Sequence, residues 1–266
     1  MRIDIQKALK YIFDDQDWIM KVGILIVVFA VVSFLTQIMN IGGSVITNIG
    51  DTGLFENSTI SGIIPLITQM TVSASVMIIS LPVTIYISGY SLETTLNVMN
   101  GKASPLPDHN NLGYKLRLWL GNFVIGLAPK AITATLALIL IVPLAILISI
   151  NWDSSSVGIW VLLMIFAIFI VGIVDFFINS LIRRSMTYLF LKSGSISGAF
   201  NFREVMKISR MWWKDLLLVA LIGILAIFVI WIVGVMSCFF SFIVSPALNV
   251  LYLLFMAHLI GQVYSR

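Results

Sequence analysis

Six apolar runs, each about as long as a bilayer's hydrocarbon core is thick, limit what this chain can fold into. A helix needs about 20 such residues to cross that core, and in lipid the backbone must satisfy its own polar groups. The runs lie at about 19–39, 63–88, 129–150, 157–179, 215–237 and 239–262. Composition agrees: 59% of the 266 residues are hydrophobic and 11% charged, with a mean hydropathy of +1.05. Soluble domains are about 25% charged, so lipid must be part of this chain's solvent. The expected fold is an all-α polytopic membrane protein, one integral membrane domain over residues 1–266 with about six transmembrane helices.

Residues 1–18 mix Arg2, Lys7 and Lys10 with Asp4, Asp14, Asp15 and Asp17 ahead of the first run. A cleavable secretory signal reads differently, so the first run is expected to be a retained helix. Pro65 suits a first helical turn, and Pro82 is placed to kink the second span. Leu116–Ile150 is too long for one span, and Lys130 stands in its middle. Proline disfavours helix at its predecessor and is welcome at a helix start. Ala128-Pro129 therefore predicts a separate helix over 112–127 and a new span from Pro129, which moves Lys130 from the hydrocarbon centre to an interface.

With these boundaries all 16 Lys and Arg fall on one side, together with 8 of the 12 acidic residues. The opposite loops carry only Asp51, Glu56 and Asp153, and Asp175 lies within a span. The excess of Lys and Arg orients the protein with its N- and C-termini on the cytoplasmic side of the cell membrane. The basic residues fall in the N-terminal segment, in 89–130, in 179–214 and at Arg266, and interfacial segments that mix basic and aromatic residues are expected there, at about 3–17, 89–101, 112–127 and 198–213. Such amphipathic helices lie in the interface, with basic groups among anionic headgroups. The candidate headgroup contacts are Lys7, Lys10, Lys115, Arg117, Lys130, Arg183, Arg184, Arg203, Lys207, Arg210 and Lys214. The pattern suggests three hairpins, each preceded by one interfacial segment. Asn201 and Glu204 have the spacing of a helix N-cap, starting the last such helix near Phe202.

Four blocks carry a family likeness. They are Asp4–Trp18, then Gly89–Gly101 followed by Leu106-Pro107-Asp108, then Gly194–Val205, then Ala257–Tyr264. Taken in order they resemble the domain of unknown function 4013 family, over nearly the whole chain. The resemblance implies a multi-pass membrane protein from bacteria or archaea and no assigned activity. After Pro107-Asp108, where the family tends to be acidic and aromatic, this chain has His109-Asn110-Asn111.

Few residues suggest chemistry. Two separated histidines and the single Cys238 make no zinc spacing, and neither a phosphate loop nor a nucleophile elbow is present. No cofactor or metal is expected, although Asp14-Asp15-Gln16-Asp17 could recruit a cation or simply form a solvated helix cap. Asp175, inside the fourth span, could pair with Lys130, with His258 or with a helix end, or could line a proton path. An Asp175–His258 pair would be sensitive to pH. On the second span Ser73, Ser80, Thr84 and Ser88 form one polar stripe, and Thr68, Thr71 and Ser75 another. Such stripes suit close helix packing or a water-lined path. Asn57-Ser58-Thr59 matches a glycosylation acceptor pattern in an outer loop.

Charge spread over short segments next to spans suits lipid headgroups and not nucleic acid. The first functional reading is therefore a non-enzymatic membrane-organising or partner-binding subunit whose basic face contacts anionic lipids. A homo-oligomer or a membrane-protein partner fits the same reading. The alternative is a small permease or transporter subunit with a polar second span and Asp175 near the path. A lipid enzyme is the weakest reading, because paired acidic or histidine-containing motifs are missing.

Overall fold

The computed structural model describes residues 3–51, 58–150, 152, 157–237 and 241–265, leaving aside the side chains of 46–51, 58–66 and 241–242. The readings of Asp51, Glu56, Asn57-Ser58-Thr59, Pro65, Asp153 and Cys238 fall outside the described side chains. The described elements are α1 (Ile5–Asp14), α2 (Trp18–Asp51), α3 (Ser58–Met99), α4 (Leu112–Ile150) and α5 (Val157–Phe177). A π-helical turn (Ile178–Arg183) leads into α6 (Arg184–Ser193), followed by α7 (Ile196–Ala199), α8 (Phe202–Met236) and α9 (Ser241–Tyr264). No strand occurs among the described residues. Six stretches, Trp18–Val45, Ile67–Met99, Leu112–Ile150, Val157–Ser193, Phe202–Met236 and Ile243–Tyr264, are long and apolar enough to cross a membrane. The chain is a multi-pass, all-α integral membrane protein.

The helices run longer than the spans require. At about 1.5 Å per residue, α3, α4 and α8 measure roughly 63, 58 and 52 Å, against a hydrocarbon core of about 30 Å. Residues 89–99, 112–127 and 202–213 are thus rigid continuations of membrane helices, where separate interfacial segments were expected. Between 89–99 or 202–213 and the adjoining span the sequence offers no stop signal, so the helix simply continues.

The break expected at Pro129 is likewise absent, because Pro129 and Pro143 both lie inside α4. An interior proline costs about 3 kcal/mol. Ending a helix in apolar surroundings leaves several backbone groups unsatisfied, at several kcal/mol each, so continuity wins. The last helical start agrees with expectation: α8 begins at Phe202, and the Glu204 amide donates to Asn201 Oδ1 at 3.4 Å.

The chain divides into two compact units. The first comprises Met1–Trp119 and Ile222–Arg266. In it α2, α3 and α9 pack together, with α1 against α9 and α2. Tyr11, Val22, Leu25, Ile87, Tyr90, Val250 and Leu254 form its core. Glycine permits two of the close approaches. A Cβ at Gly89 would run into the Lys115 backbone, and one at Gly261 would meet Val98 and the Thr95 carbonyl.

In the second unit, Leu120–Leu221, side chains of α6 meet α8 from Ser209 to Leu216. Ser185 and Ser209 share a hydrogen bond at 2.9 Å, the Tyr188 ring stands edge-on to Trp212 at 4.9 Å, and Arg184 donates to the Leu216 carbonyl at 3.1 Å. Elsewhere the spans present apolar side chains outward, as Ile159, Leu162, Phe166 and Phe169 do on α5. Contiguous exposed apolar surface of this kind needs lipid or a partner against it.

Candidate functional site

The charged residues at the basic helix ends fall into two arrangements, one in each unit. In the first unit the chain between α3 and α4 folds back over the start of α2. Gly101 and Asn111 both take positive φ, at 68° and 61°, which lets this connection turn tightly at each end. Asn97 Nδ2 donates to the Pro105 carbonyl at 3.0 Å. Asp15, at the α1–α2 junction, accepts from the Ser104 hydroxyl, from the Asp17 amide at 3.0 Å and from Lys21 Nζ at 3.1 Å. Lys21 also lies 3.6 Å from Asp108. Burial pushes the Asp15 carboxyl up, but the bonds from Ser104, Asp17 and Lys21 together hold it below the usual carboxylate range.

Lys115 is the centre of this knot. Expected among the headgroup contacts, it is only 1% exposed. Its ammonium donates to the carbonyls of Asp108 and Asn110 at 2.7 and 2.6 Å and lies 3.2 Å from Glu93 Oε2. The Glu93 contact is ionic, since that oxygen takes part in no well-directed hydrogen bond. The rings of Tyr86 and Tyr90 lie 5.9 and 5.7 Å from the same ammonium, within cation–π range. A buried cation needs partners of this kind, because desolvating an isolated charge is prohibitive. His109, where the chain departs from its family's pattern, is part of the knot. Its Nδ1 lies 2.6 Å from the Tyr86 hydroxyl and its Nε2 3.3 Å from the Met20 carbonyl.

Next to the knot an open cleft of about 1130 Å³ is lined by Lys7, Tyr11, Asp15, Lys102, His258 and Gln262, among others. His258 stacks on Tyr11 with centroids 4.2 Å apart, and its Nδ1 lies 3.1 Å from Gln262 Nε2. Gln262 in turn ties α9 to the N-terminal segment through the backbone of Asp4, at 2.8 and 3.0 Å. The Tyr11 hydroxyl donates to the Leu254 carbonyl at 2.8 Å. Burial, and after it the neighbouring Tyr90, raise the Tyr11 phenol well above its ordinary value, so it stays protonated. No group of three or more metal-ligating side chains occurs among the described residues, the Asp14–Asp17 cluster included.

The second arrangement lies on α8. Arg203, Lys207, Arg210 and Lys214 are all exposed and fall within an arc of about 60° at 100° per residue. The opposite face is buried through Val205, Ile208, Trp212 and Leu216. None of the four cations is in an ion pair among the described residues. Beside them runs a second exposed line, Phe202, Met206 and Trp213, at 59%, 44% and 47% exposure.

The remaining candidates have their own surroundings. Asp175 faces Lys130 at 3.3 Å within the second unit, one of the partners considered for it, while His258 has Tyr11 and Gln262 in the first. The structure thus gives the two residues separate partners. Arg183 lies over Gly126, where an added Cβ would stand 3.3 Å from its Nε. Lys7 and Lys10 are exposed on α1. Of the α3 stripe, Ser73 and Thr84 are exposed, Ser80 and Ser88 half-buried. Thr84 and Ser80 bond back to their own helix, to the Ser80 and Met77 carbonyls at 2.9 and 3.5 Å. Sequence reasoning missed the knot. The cue was the string of turn residues from Gly101 to Asn111, too elaborate for a simple connection between two helices.

A protein-family model described as "Protein of unknown function (DUF4013)" matches residues 72–240. No curated protein and no solved structure matches the chain.

Proposed function

The chain belongs to the DUF4013 family, whose description assigns no activity, and from that premise we propose a non-enzymatic, membrane-organising or partner-binding subunit. Its basic helix ends lie on the cytoplasmic side of the cell membrane, in contact with anionic lipids, and both termini share that side. The observation that carries this reading is the surface of α1. Ala8, Tyr11 and Ile12 bury one arc against the protein, while Ile5, Leu9 and Phe13 expose an adjacent apolar arc. Gln6, Lys10, Asp14 and Lys7 complete the circumference. A helix with one arc on protein, one apolar arc outward and a charged arc between suits the acyl–headgroup boundary. Cations there gain about 1 kcal/mol each from an anionic leaflet.

The permease reading has less support. The ionisable pair lying within spans, Lys130 and Asp175, closes on itself, and the stripe hydroxyls of Ser80 and Thr84 bond to their own helix.

Spin labels at positions 9 and 13 test the proposal in the full chain, reconstituted in phosphatidylcholine with or without phosphatidylglycerol. Both labels are expected to be oxygen-accessible, and both should move deeper when phosphatidylglycerol is added. Lys7→Gln with Lys10→Gln should abolish that shift. Water-accessible labels, or depths indifferent to anionic lipid, overturn the reading, as does labelling of position 10 from outside intact cells.

A further inference from the structure

We propose that the first four turns of α8 form a docking ridge for an acidic, amphipathic helical segment of a soluble protein. The inference rests on the reading above, that the basic ends face the cytoplasm, and names the partner's chemistry.

Position decides between protein and lipid. The charge-free stretch Leu216–Met236 is about 31 Å long, enough to fill the hydrocarbon core. Trp212, Trp213, Lys214 and Asp215 stand where its inner boundary falls, as interfacial residues do. Since α8 continues unbroken to Phe202, the cations climb away from that boundary. Measured from Asp215, Lys214 and Arg210 lie about 2 and 8 Å along the axis, Lys207 and Arg203 about 12 and 18 Å. A headgroup layer is roughly 5–8 Å deep on each side. Lipid can therefore neutralise the inner pair of cations, and the outer pair projects into water. An ordinary helix tilt of about 20° shortens these heights by only a few per cent.

The ridge also lacks its complement. Like charges three and four residues apart repel one another on a helix, and here four align with no acidic partner among the described residues. The face opposite them is buried through Val205, Ile208 and Trp212, with Ser209 and Trp212 held by Ser185 and Tyr188 of α6, so the cations face outward. A helix bearing carboxylates at i, i+4, i+7 and i+11 would match the four charges. An apolar edge on that helix would cover Phe202 and Met206, whose exposure in water is otherwise unexplained.

The test uses the full chain in nanodiscs and a fluorescein-labelled acidic amphipathic peptide about 18 residues long, with Glu at that spacing and Leu beside it. Fluorescence anisotropy reads peptide binding in phosphatidylcholine discs. Co-purified phosphatidylglycerol reads lipid preference. Reversing the outer pair, Arg203→Glu with Lys207→Glu, should weaken peptide binding by at least about tenfold and leave lipid retention unchanged. A Lys-for-Glu peptide should recover affinity for that variant. Reversing the inner pair, Arg210→Glu with Lys214→Glu, should lower lipid retention. The conservative Arg203→Lys with Lys207→Arg should behave as wild type, and an unchanged melting temperature shows that the fold is intact. Equal peptide binding by wild type and outer-pair variant overturns the ridge. So does loss of lipid retention on outer-pair reversal, which would mean that the helix lies on the membrane. Either result leaves the α1 labels reading as before, so this failure is separable from failure of the functional proposal.

Discussion

Lys115 and Arg203 both stand near the start of a long helix whose later turns can cross a membrane, yet their charges meet opposite fates. Lys115 is enclosed by two carbonyls, Glu93 and two tyrosine rings, and its charge organises the chain that leads into α4. Arg203 and the three cations that follow it on α8 are exposed, on the face turned away from the core. The difference lies in what faces each helix. Where Gly89 lets α3 approach the Lys115 backbone, a cation is trapped and must be satisfied inside. Where α8 meets a neighbour on one side only, the cations on its other side stay available to something outside. Charge around Lys115 therefore holds structure, and the charge along the first turns of α8 is left exposed.

Substitutions in both regions can break or sharpen that contrast. Lys115→Met should have the largest effect, about 3–5 kcal/mol of stability, because it strands the carboxylate of Glu93 and two carbonyls. Thermal unfolding in detergent measures it. A Glu93→Gln, Lys115→Met double variant should regain much of the loss. If it does not, the bonds to Asp108 and Asn110 dominate over the ion pair.

Asp15→Asn comes next, at about 1–3 kcal/mol, with faster hydrogen exchange across residues 100–108. The folded Asp15 carboxyl titrates lower than in the unfolded chain. Its contribution is thus complete above the ordinary carboxylate value of about 4 and is lost as pH falls through the folded value. Acid should accelerate exchange in the wild type, whereas the Asp15→Asn variant should lack this component.

Asp175→Asn should cost about 1 kcal/mol, because the amide oxygen can still accept from Lys130 while the charge attraction across 3.3 Å is lost. A much larger loss of stability would show that this pair also holds structure. Arg203→Gln or Lys207→Gln should change the melting temperature least, within about 0.5 kcal/mol, as surface substitutions do. A destabilisation as large as that of Asp15→Asn would end the distinction between the two regions.

Much of the architecture was legible before any coordinates. Apolar runs of span length reveal six membrane helices because lipid leaves a backbone so few alternatives. The cap at Asn201 located the start of α8, since capping is a local interaction between neighbours in sequence. Helix ends without a cap were harder to place. Pro129 carries a local signal for a boundary, and the apolar surroundings of α4 overrode it. The candidate cations were identified by residue type alone, which cannot separate a trapped lysine from an exposed one.

The amino-acid sequence by itself determined that this is a helical membrane protein with six span-length apolar helices and most of its cations between the apolar runs, because hydropathy acts through the solvent and needs no fold to be read. Only the tertiary structure decided which of those cations are enclosed and which are presented. Whether a side chain is enclosed depends on residues far away in the chain, as when Gly89, Asp108 and Tyr86 meet around Lys115, and no local pattern encodes that meeting.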